Sequence, residues 1–149
     1  MQTGIKVGEA MTTEPVATTP ETTIRDAARL MKEYDVGSVL LKEGDNVVGI
    51  VTEFDLTRKV VADDMDTREP VSNVAETALV DILPTRDLAE ALQLMKVNEV
   101  RHLPVVQDEE FMGLITMKDI LKIAPALFDI MVDQIRLREE NRKPIEENI

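Results

Sequence analysis

The chain repeats itself. Residues 7–56 lie over residues 71–120 at a constant shift of 64, with no gap. Val16/Val80, Pro20/Pro84, Ala27/Ala91, Leu30/Leu94, Met31/Met95, Val36/Val100, Gly49/Gly113, Thr52/Thr116 and Asp55/Asp119 are identical pairs. Most other pairs swap like for like, as in Ile24/Leu88, Ile50/Leu114 and Val51/Ile115. Such a period means two copies of one supersecondary unit. A unit of about 60 residues buries too little surface to be comfortably stable alone. The copies are therefore expected to share a core and to form two equivalent clefts.

Composition narrows the function. Apolar residues make up 44% of the 149, but aromatics only 3%, so the core must be built from Val, Ile, Leu, Met and Ala. A net charge of −12 argues against binding nucleic acid or an anionic membrane, since both need a basic face. A small anion held by a few local cations remains compatible. With no cysteine, there is no disulfide, thiolate metal site or cysteine nucleophile. No 18-residue apolar run and no signal-peptide pattern occur, so a soluble cytoplasmic protein without a membrane span is expected.

Each unit reads as strand, helix, strand, strand, helix, an α/β (α+β) pattern. Residues 13–20, between two prolines, predict a short strand centred on 16–18. Thr23 and Asp26 give a capping-box-like helix start, as do Asp87 and Glu90 in copy two. Ile24, Ala27, Met31 and Tyr34 follow at helical spacing, as do Leu88, Ala91, Leu92 and Met95. Apolar runs at 36–41 and 47–51, separated by Gly44, Asp45 and Asn46, predict a hairpin. Its counterpart is 103–106 and 111–115. A second helix starts at Thr52 and at Thr116. The units span 7–63 and 71–123, joined by a charged linker at 64–70. Residues 124–149 form a C-terminal helix and tail, with Pro125 in the helix's first turn.

The two units end alike. Each runs Gly, two apolar residues, Thr, two variable residues, Asp: Gly49 to Asp55 and Gly113 to Asp119. The frame falls at a strand-to-helix junction, where free amide groups favour an anion. The Thr hydroxyl adds a donor, and the Asp can accept two hydroxyl hydrogen bonds, as a ribose diol offers. The same spacing is also a plain capping box. Asp is a less usual partner there than Glu or Gln, and the frame recurs within a whole-unit repeat. There is no phosphate-binding glycine loop, dinucleotide fingerprint or nucleophile elbow, and no catalytic set is found.

These motifs together resemble a tandem pair of CBS (cystathionine β-synthase) domains, a Bateman module. Residues 10–16 (AMTTEPV) resemble the family's leading segment, residues 101–106 (RHLPVV) its second strand, and the two Gly-to-Asp frames its ligand motif. The resemblance covers about residues 7–123. It implies two units packed sheet to sheet about a pseudo-twofold axis, with adenosine-containing ligands in one or both clefts. It implies that Asp55 and Asp119 hold ribose hydroxyls and that Thr52 and Thr116 meet ribose or phosphate. Thr18 and Ile82 would flank the adenine through backbone groups and apolar contact, with Pro104 beside them on the second strand.

The copies differ in charge. Arg101, His102 and Lys118 of copy two stand where copy one has Gly37, Ser38 and Phe54. A phosphate needs cations that can pair with its oxygens. If phosphate and ribose are held by the same copy, the phosphorylated ligand belongs in the cleft of Asp119. Otherwise Arg101 and His102 are a solvated strand entrance. His102 is the only histidine, which disfavours a histidine-based metal site.

At the C-terminus, Ile123, Leu127, Ile130, Gln134 and Leu137 keep an a/d-like spacing, with Phe128, Met131 and Ile135 beside them. That arc is wide for a lone surface helix. It packs back on its own module, or serves as a dimer contact or a docking surface for an effector protein. The expected function is a non-enzymatic regulatory sensor without a resident cofactor. It would bind AMP, ADP, ATP or S-adenosylmethionine as a homodimer and signal by population shift. The alternative is a ligand-independent dimerisation or scaffold module.

Overall fold

The computed structural model describes residues 2–127, together with Asp129 and Val132. The C-terminal helix expected beyond residue 127, with its docking stripe, lies outside the described residues. Pro125–Leu127 form a 3-10 turn, and Leu127 is buried in the core of copy two.

Helix α1 is the single turn Val7–Ala10. Helix α2 (Ile24–Tyr34) starts where the capping signal puts it, with Thr23 Oγ1 accepting from the Asp26 amide at 3.1 Å. It buries Ile24, Ala27 and Met31, and ends at Asp35 in a left-handed conformation. Strands β2 (Ser38–Glu43) and β3 (Asn46–Thr52) form the predicted antiparallel hairpin, with Ser38 opposite Thr52. Copy two repeats the plan with α4 (Leu88–Asn98), β4 (His102–Gln107), β5 (Glu110–Thr116) and α5 (Met117–Ile123). There His102 stands opposite Thr116.

Two elements depart from the sequence expectation. The leading strand shrinks to β1 (Ala17–Thr18), parallel to β2, and in copy two to one bridge between Ile82 and Val105. Pro104 explains the difference. In copy one the Leu40 N–H donates to the Val16 carbonyl at 3.0 Å. Pro104 stands in Leu40's place and has no N–H to give. Secondly, the helix after β3 is only the turn α3 (Glu53–Asp55), which widens into a π-helical turn at Leu56–Val61. There the Ala62 N–H reaches the Thr57 carbonyl at 3.1 Å. The matching α5 stays α-helical.

The copies exchange their leading segments. Val7 and Ala10 are buried in the core of copy two, and Val71 and Val74 in the core of copy one. The hydrogen bonds that carry the exchange are paired by the same shift of 64. Val7 N–H donates to Arg86 O and Val71 N–H to Thr22 O. Gly8 N–H donates to Pro84 O and Ser72 N–H to Pro20 O. Thr12 and Leu114 bond to each other in both directions, as do Glu76 and Ile50. This is pseudo-twofold symmetry read bond by bond. Leu40, Ile50 and Leu114, with Val47, Leu79 and Phe111 against them, form a third apolar cluster that joins the copies. No described helix is long and apolar enough to cross a membrane.

Candidate functional site

The glycine that opens each frame serves the exchange. A Cβ on Gly113 would lie 2.6 Å from the Thr12 carbonyl oxygen and 2.9 Å from Met11 Sδ. On Gly49 it would lie 3.3 Å from the Glu76 carbonyl oxygen. The leading segment of the other copy crosses at these points, closely enough at Gly113 to exclude a Cβ and tightly at Gly49.

The Thr and Asp of each frame do form a capping box. Thr52 Oγ1 accepts from the Asp55 amide at 3.3 Å, and Asp55 Oδ2 accepts from the Thr52 amide at 2.9 Å. Thr116 Oγ1 accepts from the Asp119 amide at 3.1 Å, and Asp119 Oδ2 accepts from the Thr116 amide at 3.0 Å. Capping occupies one oxygen of each carboxylate and leaves Oδ1 for other work. On Asp55 it is taken: Lys59 Nζ lies 3.2 Å away. Among the described residues Asp119 Oδ1 has no donor.

Lys59 is a site residue that the residue types did not flag, although an i,i+4 Asp–Lys spacing in the sequence is a pairing signal. Copy two has Ile123 at the equivalent position.

The cations do not fall as expected. The Arg101 guanidinium lies 5.0 Å from the ring centre of Phe54, in the other copy, and Arg58 lies 5.0 Å from it as well. The part-buried His102 senses the charge of Asp55. Burial pushes its imidazole below the usual value, and Asp55 draws it partly back. The Arg101 side chain therefore turns to Phe54 of the Asp55 frame rather than to Asp119, while His102 stays opposite Thr116 in its own hairpin. The cause is the pseudo-twofold, which sets the start of β4 against the β3–α3 junction of copy one. Lys118 is exposed on the first turn of α5, beside Asp119.

Thr18 sits on β1 with its hydroxyl 2.6 Å from Thr22 Oγ1. Ser38 starts β2, opposite Thr52. Ile82 holds in copy two the place that Thr18 holds in copy one, paired with Val105. Its N–H donates to Pro104 O and its carbonyl accepts from Val106 N–H, both at 3.0 Å, and its side chain is 7% exposed, within the core of copy two. It offers a base little surface and no N–H.

Pro104 lines a cavity of about 210 Å³ with Asn46, Val47, Leu79, Asp81 and Phe111. Neither Asp55 nor Asp119 lines it. It is smaller than the roughly 300–1,000 Å³ of ordinary ligand pockets.

A family model described as CBS domain matches residues 7–62 and 71–126. The chain is 34% identical to the CBS domain-containing protein YhcV of Bacillus subtilis (strain 168) over 114 residues, which is 76% of this chain and 81% of that protein. Its fold is similar to the crystal structure of an uncharacterized conserved protein from Pyrococcus horikoshii, with a TM-score of 0.77, 27% identity, and coverage of 83% of this chain and 95% of that one. It is also similar to the CBS domain protein PAE2072 from Pyrobaculum aerophilum complexed with AMP. There the TM-score is 0.75 at 24% identity, over 86% of this chain and 99% of that one.

Proposed function

The chain belongs to the CBS-domain family and carries two CBS domains, and from that premise we propose that it is a regulatory module that binds an adenosine-containing ligand between its copies. The duplicated Thr-x-x-Asp frame carries the reading. Two part-buried carboxylates stand at helix starts, each held by its own cap, with one oxygen turned to other uses. Such an oxygen can accept a ribose hydroxyl, and Arg58, Lys59, Arg101 and Lys118 are cations near the two frames for a phosphate. The similarity in fold to PAE2072, solved in complex with AMP, supports this reading. The candidates are AMP, ADP, ATP and S-adenosylmethionine.

Binding between the copies stabilises one packing of the sheets over others, and a second chain reads the difference. A homodimer completes the reading. Tyr34, Val61 and Val97 are exposed apolar side chains in a single chain, and pairing would cover part of such surface. A monomer in light scattering would remove that part.

The test is a thermal-shift series with the four ligands. A ligand at a hundred times its Kd adds about 2.7 kcal/mol, or about 5–10 °C for a chain of this size. Asp119→Ala should lose most of that gain, measured from its own ligand-free baseline because the cap is lost too. No shift with any of the four would leave the scaffold reading.

A further inference from the structure

We propose that Lys59 is a built-in competitor for the first ligand site, so that the two clefts take different chemistry: the Asp119 frame a ribose diol, the Asp55 frame an anion. The inference rests on the adenosine reading above and concerns which cleft does what.

A carboxylate offers about four hydrogen-bonding positions. On Asp55, three are used: the Thr52 amide at 2.9 Å, the Thr52 hydroxyl at 3.1 Å and the Lys59 ammonium at 3.2 Å. A diol needs two. On Asp119, the Thr116 amide at 3.0 Å is the one donor among the described residues. The sequence repeat holds at Asp55/Asp119 and breaks four residues on, where Lys59 faces Ile123. An isoleucine cannot compete for the carboxylate.

Lys59 is held on its other side as well. Its ammonium donates to the Val74 carbonyl at 2.9 Å. Val74 belongs to the exchanged segment buried in the core of copy one. The lysine also lies on the π-helical turn Leu56–Val61, a widened geometry that recurs at functional sites. A diol that claims Asp55 must therefore release both Asp55 and the crossing segment. An anion need not. It meets an ammonium already in place, and Arg58, which lies over Phe54, is its neighbour in sequence.

The test uses adenosine, a neutral diol without phosphate, titrated into the ¹⁵N-labelled full chain. In the wild type, the Thr116 and Asp119 amides should shift at lower adenosine concentration than those of Thr52 and Asp55. In Lys59→Met, the midpoint for Thr52 and Asp55 should fall about two- to fivefold, the scale of a half-exposed ion pair. In Lys59→Arg, which keeps the cation, it should stay near the wild-type value. Without ligand, amide exchange at Ala75 should speed up in Lys59→Met, because the tie to Val74 is gone. Equal midpoints for Thr52 and Asp55 in wild type and Lys59→Met would overturn the competitor role, as would unchanged exchange at Ala75. Silence of both clefts in all three proteins would overturn the adenosine reading, and the division between clefts with it.

Discussion

Each residue of the Gly-to-Asp frame has a structural task before any ligand arrives. The glycine admits the crossing segment, and the Thr and Asp cap the next turn. The two glycines are not equally constrained. The Thr12 carbonyl is rigid backbone 2.6 Å from a Cβ on Gly113, whereas the nearest atom to one on Gly49 is at 3.3 Å. Gly113→Ala should cost about 1–3 kcal/mol, the range of overpacking, and Gly49→Ala clearly less, in urea denaturation. His102 gives a pH signature. Its imidazole is held below the unfolded value of about 6.5. The unfolded chain therefore takes up the proton first, and stability should fall as pH drops below about 6.5. Melting curves of His102→Gln should be flatter than wild type across that window. The paired Asp caps were legible because they recur. Lys59 was not, because its effect lies in a difference between copies, and a repeat draws attention to what is shared.

At the scale of elements, the helices and hairpins were legible from periodicity and caps, and the leading strand was not. Its length depends on whether the neighbouring strand has an N–H to give, and Pro104 removes it in copy two. The owner of each leading segment was also hidden. Val7 and Val71 show that an apolar residue is buried, not in which copy. Asp87 shows the same limit. It caps α4 by accepting from the Ala89 amide at 2.8 Å, not from Glu90 as the capping-box spacing suggests. It also holds the Thr3 amide and hydroxyl and the Gly4 amide. Burial alone would raise its pKa, but these donors prevail and hold it at about 2. The group therefore contributes stability above its unfolded value of about 3.9, lost as pH falls toward 2. Asp87→Ala should lower the midpoint at neutral pH by about 2–4 °C, the scale of a lost cap. The gap from wild type should close in acid. A variant that melts like wild type at neutral pH would show that the N-terminal tie is idle.

Over the whole molecule, the repeat predicts equal clefts, and the backbone bonds across the pseudo-twofold are paired copy for copy. The inequality comes from side chains at positions where the repeat is broken. Arg101 reaches Phe54 of the other copy while Lys59 pairs with Asp55 within copy one, so the cations around the Asp55 frame come from both copies. A linear comparison of the copies cannot show this, because it assigns each charge to the unit that encodes it. A ligand that touches both copies thereby senses their relative position, which a regulatory module requires. The most direct measurement is isothermal titration of the full chain with AMP and with S-adenosylmethionine, alongside Asp119→Asn. Saturable binding of at least one ligand is predicted, weakened tenfold or more in the variant, as the loss of a charged hydrogen bond implies. No heat from either ligand, while the chain melts cooperatively, would contradict the account.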